Sequence, residues 1–339
     1  MDAATNRRAS RATHLVVAAP GLAALPADVL AGSRGLARLA ALAQHHRDDA
    51  GLEHALVDAV GIATPAATLM AHGAGLDPAA RDWLVADPVT LVAGIDDVLV
   101  ASRVDDLSSD ESSSLAARLS AHFASDGLAF VAAHPARWYL RLATPARLAA
   151  PPTGAAVGRT LGALRVDGDD ARRFARVANE IQMLLFAAPE NDAREARGLA
   201  PCNGLWLWNT AASASAHAPL DVDALTAAGA AGDLARGLAL ATQGSTRDVG
   251  ASDASLATAI AAAGATHVVV ALPEVVASTF TSIDAQWLAP AVDALLDGRA
   301  SRLTLIADGR DAHVYTASRP RGWRRIAARW RAARLAIDG

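Results

Sequence analysis

The chain contains no lysine: all 31 of its Lys-plus-Arg residues are arginine. That excludes Schiff-base chemistry on a lysine amine and a Walker-type phosphate loop, both of which need the ammonium. It has one cysteine, Cys202, so no internal disulfide can form and a reducing cytoplasm is the expected setting. Aromatic residues make up only 4% of the chain. Much of the apolar content is alanine, which favours helix but fills little volume. No apolar run approaches the roughly 20 residues that span a bilayer. The opening "MDAATNRRASRATHLVVAAPGL" places arginines before an apolar stretch, but that stretch is short and breaks at Pro20–Gly21. It reads as a polar tail followed by a first buried strand rather than a signal peptide.

What is present is a chain of 339 residues, 52% hydrophobic and 19% charged. That composition describes a globular protein with room for two domains. The formal charge of −4 conceals an asymmetry, because seven arginines and no acid fall within 318–335, "SRPRGWRRIAARWRAARL". The body is acidic and this end is basic. Trp323, Ile326, Trp330 and Leu335 recur there at helical spacing among the arginines. Arg321, Arg324, Arg325, Arg329 and Arg331 are therefore candidates for contact with an anionic membrane surface or, non-specifically, nucleic acid, against a plain solvated tail.

Three short apolar runs ended by Pro or Gly read as strands buried on both faces: "HLVVAAP" (14–20), "THVVVALP" (266–273) and "LTLIADG" (303–309). Alanine-rich helical patterns flank them at 22–48, 53–60, 222–241, 252–263 and 284–297. The alternation predicts an α/β core with a largely parallel sheet flanked by helices. Residues 80–150 differ. "PVTLVAG" and "VLVASRV" around "IDD" predict a hairpin, and Ser108 with Glu111 has capping-box spacing ahead of a helix carrying Leu115, Leu119 and Phe123. Two further strands, "GLAFVAA" and "RWYLRLA", complete a small α+β unit. The expected organisation is an α/β core over 14–79 and 151–316, an inserted α+β domain over 80–150, and a basic amphipathic tail over 317–339. A helix over 169–188 presents Phe174, Val177, Ile181, Leu184 and Leu185 on one face and ends at Pro189.

The stretch that follows, "PENDAREARGLAPCNGLWLW" (189–208), is unlike its surroundings. Asn191, Arg194, Arg197 and Asn203 could anchor an anion, or could cap the helix and pair with Glu190 and Glu195. Trp206 and Trp208 share one face of a period-two strand. They could pack in the core against a helix or line a groove for a ligand or partner.

The order of these segments resembles the archaeal type of cofactor-independent phosphoglycerate mutase, in the alkaline-phosphatase-like superfamily. It resembles more closely the bacterial regulatory proteins of RpfE type. The resemblance rests on Asn191, Arg194, Gly198, Pro201 and Asn203 before an apolar strand, on "GLDP" (75–78), and on "ADPVTLV" and "ARWYLRL" of the inserted unit. It implies an alkaline-phosphatase-like core. In active members it also implies two metal ions, Mn or Zn, and a phosphoryl-carrying serine. Matched position by position, the family's first metal-binding Asp falls at Pro20 and its nucleophilic Ser at Ala66, with Thr64 and Thr68 displaced from it. Its next Asp falls at Glu274, its later His at Ser278, and its Asp–His pair at Asp308 and Gly309. The Arg ending the tryptophan strand is Trp208.

Glu274 and Asp308 are thus vestigial metal candidates, to be set against ordinary solvated carboxylates. His313, beside Asp311 on an expected edge strand, reads as structural or exposed. His45–His46, placed in a helix near Asp48 and Asp49, offers no same-face third ligand. "TQGSTRD" (242–248) reads as a polar loop. The expected function is a non-catalytic regulatory or binding protein without cofactor, whose partner is a protein or a small anionic ligand. The alternative is an active metal-dependent phosphoglycerate mutase or another phosphoryl-transfer enzyme.

Overall fold

The computed structural model describes residues 13–80, 82–210, 221–227, 229–249, 256, 260, 265–309 and 311–320. Two compact units emerge, one from residues 1–63 with 213–339 and one from 64–212. The chain starts in the first unit with β1 (His14–Ala19) and β2 (Gln44–Asp48). It then builds the second unit from β3 (Trp83–Ala93), β4 (Val98–Arg103), β5 (Leu128–His134), β6 (Arg137–Leu142) and β7 (Gly204–Trp208). It returns to the first with β8 (Val222–Thr226), β9 (Thr246–Asp248), β10 (His267–Ala271), β11 (Arg302–Asp308) and β12 (Ala312–Ser318).

The first unit is α/β, as expected. Its seven-stranded sheet has the order β2-β12-β11-β1-β10-β8-β9. The run β11-β1-β10-β8-β9 is parallel, while β12 is antiparallel to both β11 and β2. β1 and β10 are almost wholly buried, because helices cover both faces of a parallel sheet. On one face Leu15, Val17, Val268, Val270, Leu303 and Leu305 join Trp287, Leu288, Val292 and Leu295 in a single apolar core. Each such side chain contributes about 1.5–3 kcal/mol on burial. The helix expected over 284–297 begins earlier, at Ala277, and passes through a π turn at Asp284–Leu288. Pro290 lies just beyond that turn and brings no N–H to the helical ladder.

Two expectations for this unit change. The 22–48 helix divides into Ala27–Ala31 and Arg34–Ala40, and its last residues form strand β2. "QHHRD" has no apolar alternation to announce a strand; it is one because β12 offers it a free edge. Consequently β12 is interior and β2 is the edge. The 222–241 pattern likewise divides, into β8 and the helix Ala230–Ala241, and part of the 242–248 loop becomes β9. Of the 252–263 helix only residues 256 and 260 are described.

The second unit is larger than the inserted domain expected at 80–150. Residues 64–79 and 151–212 belong to it, because β7 pairs with β3 and the helix Ala171–Phe186 packs on the same sheet. Val85 pairs with both Tyr139 and Trp208, so β6 and β7 flank β3 on opposite sides. The β3–β4 hairpin forms as expected. The capping box is complete in both directions: Ser108 Oγ accepts the Glu111 N–H, and the Glu111 carboxylate accepts the Ser108 N–H. Leu115, Leu119 and Phe123 are buried with Phe174, Ile181, Leu185, Leu205 and Leu207 in a second core. Pro189 does not merely end a helix; it opens a new one, Pro189–Glu195, where its missing N–H costs nothing. Among the described residues no helix is long and apolar enough to cross a membrane.

Candidate functional site

Ligand sites of open parallel sheets lie beyond the carboxyl ends of the strands. In the first unit the ends of β1, β10 and β11 are drawn together by backbone hydrogen bonds. Leu272 N–H donates to Ala18 O (2.9 Å) and Val275 N–H to Pro20 O (2.7 Å). Gly21 sits at φ 79°, and a Cβ there would lie 2.9 Å from the Val275 carbonyl oxygen, so only glycine fits. Its N–H donates to Asp308 Oδ1 at 2.5 Å. Burial raises the Asp308 pKa and the neighbouring Glu274 charge adds to the rise, against the opposing Gly21 hydrogen bond. Glu274 itself is exposed, and so is Ser278 on the helix Ala277–Ile283.

The strand ends thus converge, as a phosphoryl-transfer site would require, but their residues do not suit a two-metal centre. Pro20 and Gly309 bring no side-chain ligand atom, the Pro20 carbonyl accepts the Val275 N–H, and one Asp308 oxygen is already engaged by Gly21. Among the described residues no three His, Cys, Asp or Glu side chains form a metal-binding group. Two-metal catalysis needs a dense set of oxygen and nitrogen ligands, which this edge does not gather among the described residues.

Ala66, matched to the nucleophile, belongs to the second unit and opens the buried helix Ala66–Gly73. Its N–H donates to Thr210 Oγ1 (3.2 Å), and the Ala67 N–H donates to Asn209 Oδ1 (3.0 Å). The first N–H groups of this helix, which an anion could otherwise use, are already satisfied by side chains from the segment after β7.

Within the 189–208 stretch Asn191, Arg194 and the strand residues 204–208 are buried, while Arg197 and most of the loop before Pro201 are exposed. Asn191 Nδ2 donates to Leu185 O (2.8 Å) and Cys202 O (2.9 Å), and its Oδ1 accepts the Cys202 N–H (2.8 Å). Asn203 is locked to both backbone groups of Leu91. Arg194 is fully buried; its Nε donates to Ala200 O (2.9 Å) and its Nη2 pairs with Asp106 Oδ1 (2.5 Å). Arg197 pairs with Glu111, the residue that also closes the capping box. Asn191, Arg194 and Asn203 thus spend their polar groups on the chain itself, whereas Arg197 pairs with Glu111 and stays exposed. The acidic partners of the arginines are Asp106 and Glu111 rather than Glu190 and Glu195. Burial alone would raise the Glu111 pKa, but the Ser108 N–H and the Arg197 and Arg194 guanidinium groups hold it below the usual range. Cys202 is buried beneath them, and its thiol is pushed up to about 12 by desolvation.

Trp206 and Trp208 are also buried, with Leu205 and Leu207 facing the helical core behind them. Trp206 Nε1 donates to Pro151 O (2.8 Å) and Trp208 Nε1 to Asp87 Oδ2 (3.1 Å). Asp87 is fully buried and also faces Arg137 (3.1 Å) and the Thr153 hydroxyl. Asp87 thus receives its arginine from β6 and an indole N–H from β7. The network was missed in the sequence, where its signal was one acid inside the apolar strand "WLVADPVTLV".

In the first unit His45 and His46 lie on strand β2 rather than a helix. His45 Nε2 and His313 Nδ1 are 3.1 Å apart. His54 Nδ1 bonds Asp48 Oδ2 (2.9 Å), which raises the His54 pKa; burial works against the Asp48 charge, yet His54 and the Ala50 N–H keep that carboxyl low. At the opposite end of the sheet His14 is buried against Thr304 Oγ1 (2.9 Å) and 5.0 Å from the His267 ring. Burial, followed by the charges of His267 and Arg302, lowers the His14 pKa to about 3. Arg321, Arg324, Arg325, Arg329 and Arg331 lie outside the described residues.

No known family model matches the chain, and no curated protein matches it. Among solved structures it is similar to a cofactor-independent phosphoglycerate mutase from Thermoplasma acidophilum DSM 1728. The identity is 14%, over 91% of this chain and 90% of that one, with a TM-score of 0.40. It is also similar to the PH0037 protein of Pyrococcus horikoshii, at 14% identity over 91% of this chain and 88% of that one, with a TM-score of 0.44. The resemblance to RpfE-type proteins has no counterpart in these two.

Proposed function

We propose that this chain is a non-catalytic binding or regulatory protein built on an α/β scaffold. The observation that carries the reading is the Gly21–Asp308 hydrogen bond at the carboxyl edge of the sheet. There the one carboxylate retained at the end of β11 serves to join two strand ends, and Pro20 stands where a second ligand would be needed. A phosphoryl-transfer centre must gather charge around a transferring group. This edge instead keeps a raised-pKa carboxyl beside one exposed glutamate. Asn191 and Arg194, which could have received a phosphate, are spent inside the second unit, which supports the same reading.

The test is metal binding to the full chain. Dialysed against Mn2+ or Zn2+ and then freed of excess, the protein should show no unfolding-temperature shift attributable to Glu274 and Asp308. The Glu274→Gln/Asp308→Asn variant should therefore respond to the ions as the wild type does. A metal-induced stabilisation present in the wild type and lost in that variant would overturn the reading.

A further inference from the structure

We propose that His45 and His313 form a chelating site for one late first-row divalent transition ion, Cu2+ above all, on the β2–β12 side of the first unit's sheet. On a helix, His45–His46 would offer no same-face third ligand. On β2 it lies diagonal to His313, whose direct register partner is Arg47. His45 Nε2 and His313 Nδ1 are 3.1 Å apart, and the rings are close to coplanar, 11° between planes with centroids 5.3 Å apart. Imidazole nitrogens bind such ions at about 2.0–2.1 Å, so two of them meeting one ion at roughly a right angle lie about 3 Å apart. Cu2+ tops the affinity order of these ions for nitrogen sites.

The ring of His45 is held in place from the other side. Tyr315, its register partner, stacks on it with centroids 4.7 Å apart and 29° between planes. β2 is the sheet edge and His45 is exposed, so an ion has access. The adjacent charges, Arg47 with Asp311 and Asp49, are paired with one another and do not load the site with uncompensated positive charge. Without metal, one imidazole donates its N–H to the other. On binding, that ring carries its proton on its second nitrogen, and a modest turn of the two rings aims both freed lone pairs at the ion. Among the described residues no third His, Cys, Asp or Glu completes a set, so water fills the remaining positions.

The experiment titrates the purified full chain with copper sulfate, read by calorimetry and by electron paramagnetic resonance. One equivalent should bind with hyperfine coupling from two nitrogens. His45→Ala and His313→Ala should each weaken binding tenfold or more, as should His45→Gln and His313→Gln, which retain a polar side chain should alanine disturb the edge. Far-UV circular dichroism confirms folding of each variant, and His134→Ala serves as a control that leaves binding unchanged. Unaltered affinity in the folded His45 and His313 variants, or coupling to a single nitrogen, overturns the proposal.

Discussion

Trp208 and Asp87 are joined by a hydrogen bond inside the second unit: the indole N–H donates to Oδ2 at 3.1 Å, and both side chains are fully buried. The same carboxylate faces Arg137 and accepts the Thr153 hydroxyl. Removing one member of a buried charge pair costs about 3–5 kcal/mol, whereas deleting a single donor to a buried acceptor costs about 1–3 kcal/mol. Asp87→Ala should therefore destabilise far more than Trp208→Phe, as measured by urea unfolding. Equal costs would mean that Asp87 is not the centre of the network.

Asn191 answers the question of whether the 189–208 stretch binds a ligand or holds the fold. Its amide satisfies three backbone groups of Leu185 and Cys202. Asn191→Ala leaves these without it, at roughly 3 kcal/mol or more given about 1–3 kcal/mol for each buried group. Millimolar inorganic phosphate should leave the unfolding midpoint of the wild type where it was. Phosphate stabilisation of the wild type that Asn191→Ala abolishes would restore the anion-anchoring reading.

His14 makes the first unit sensitive to acid. Its pKa is depressed to about 3 in the folded chain, against about 6.5 when unfolded. Below about 6.5 the unfolded chain takes up a proton that the folded chain refuses, so stability falls as the pH drops from there towards 3. The slope from this group is at most about 1.4 kcal/mol per pH unit. His14→Gln, which keeps a polar group near Thr304, should gain stability relative to wild type as the pH falls from 7 to 4.5. The check is denaturant unfolding at both values, and a pH-independent difference would count against a buried neutral imidazole.

What the sequence disclosed followed how locally each feature is encoded. β1, β10 and β11 were legible as apolar runs because a parallel sheet buries both faces, and Ser108 with Glu111 announced a helix start four residues long. β2 was not legible, because "QHHRD" is a strand only by virtue of β12 beside it. The second unit's extent was hidden for a similar reason: Trp208 pairs with Val85 across more than half of that unit's sequence, and such pairing leaves no local mark. At the carboxyl edge of the first unit's sheet, Pro20, Glu274 and Asp308 were legible as strand ends because Pro and Gly punctuate the apolar runs there. The residues Asn191 and Arg194 were rightly picked out as unusual, but their partners, from Asp106 to Cys202, were beyond any spacing rule.

The central proposal, that the carboxyl edge of the sheet does not perform phosphoryl transfer, is tested most directly by turnover. The purified full chain, supplied with Mn2+ or Zn2+, would be assayed for interconversion of 3- and 2-phosphoglycerate and for hydrolysis of p-nitrophenyl phosphate, beside Glu274→Gln/Asp308→Asn. The expected result is no rate above the protein-free control in either protein. Metal-dependent turnover by the wild type that disappears in the double variant would contradict the account.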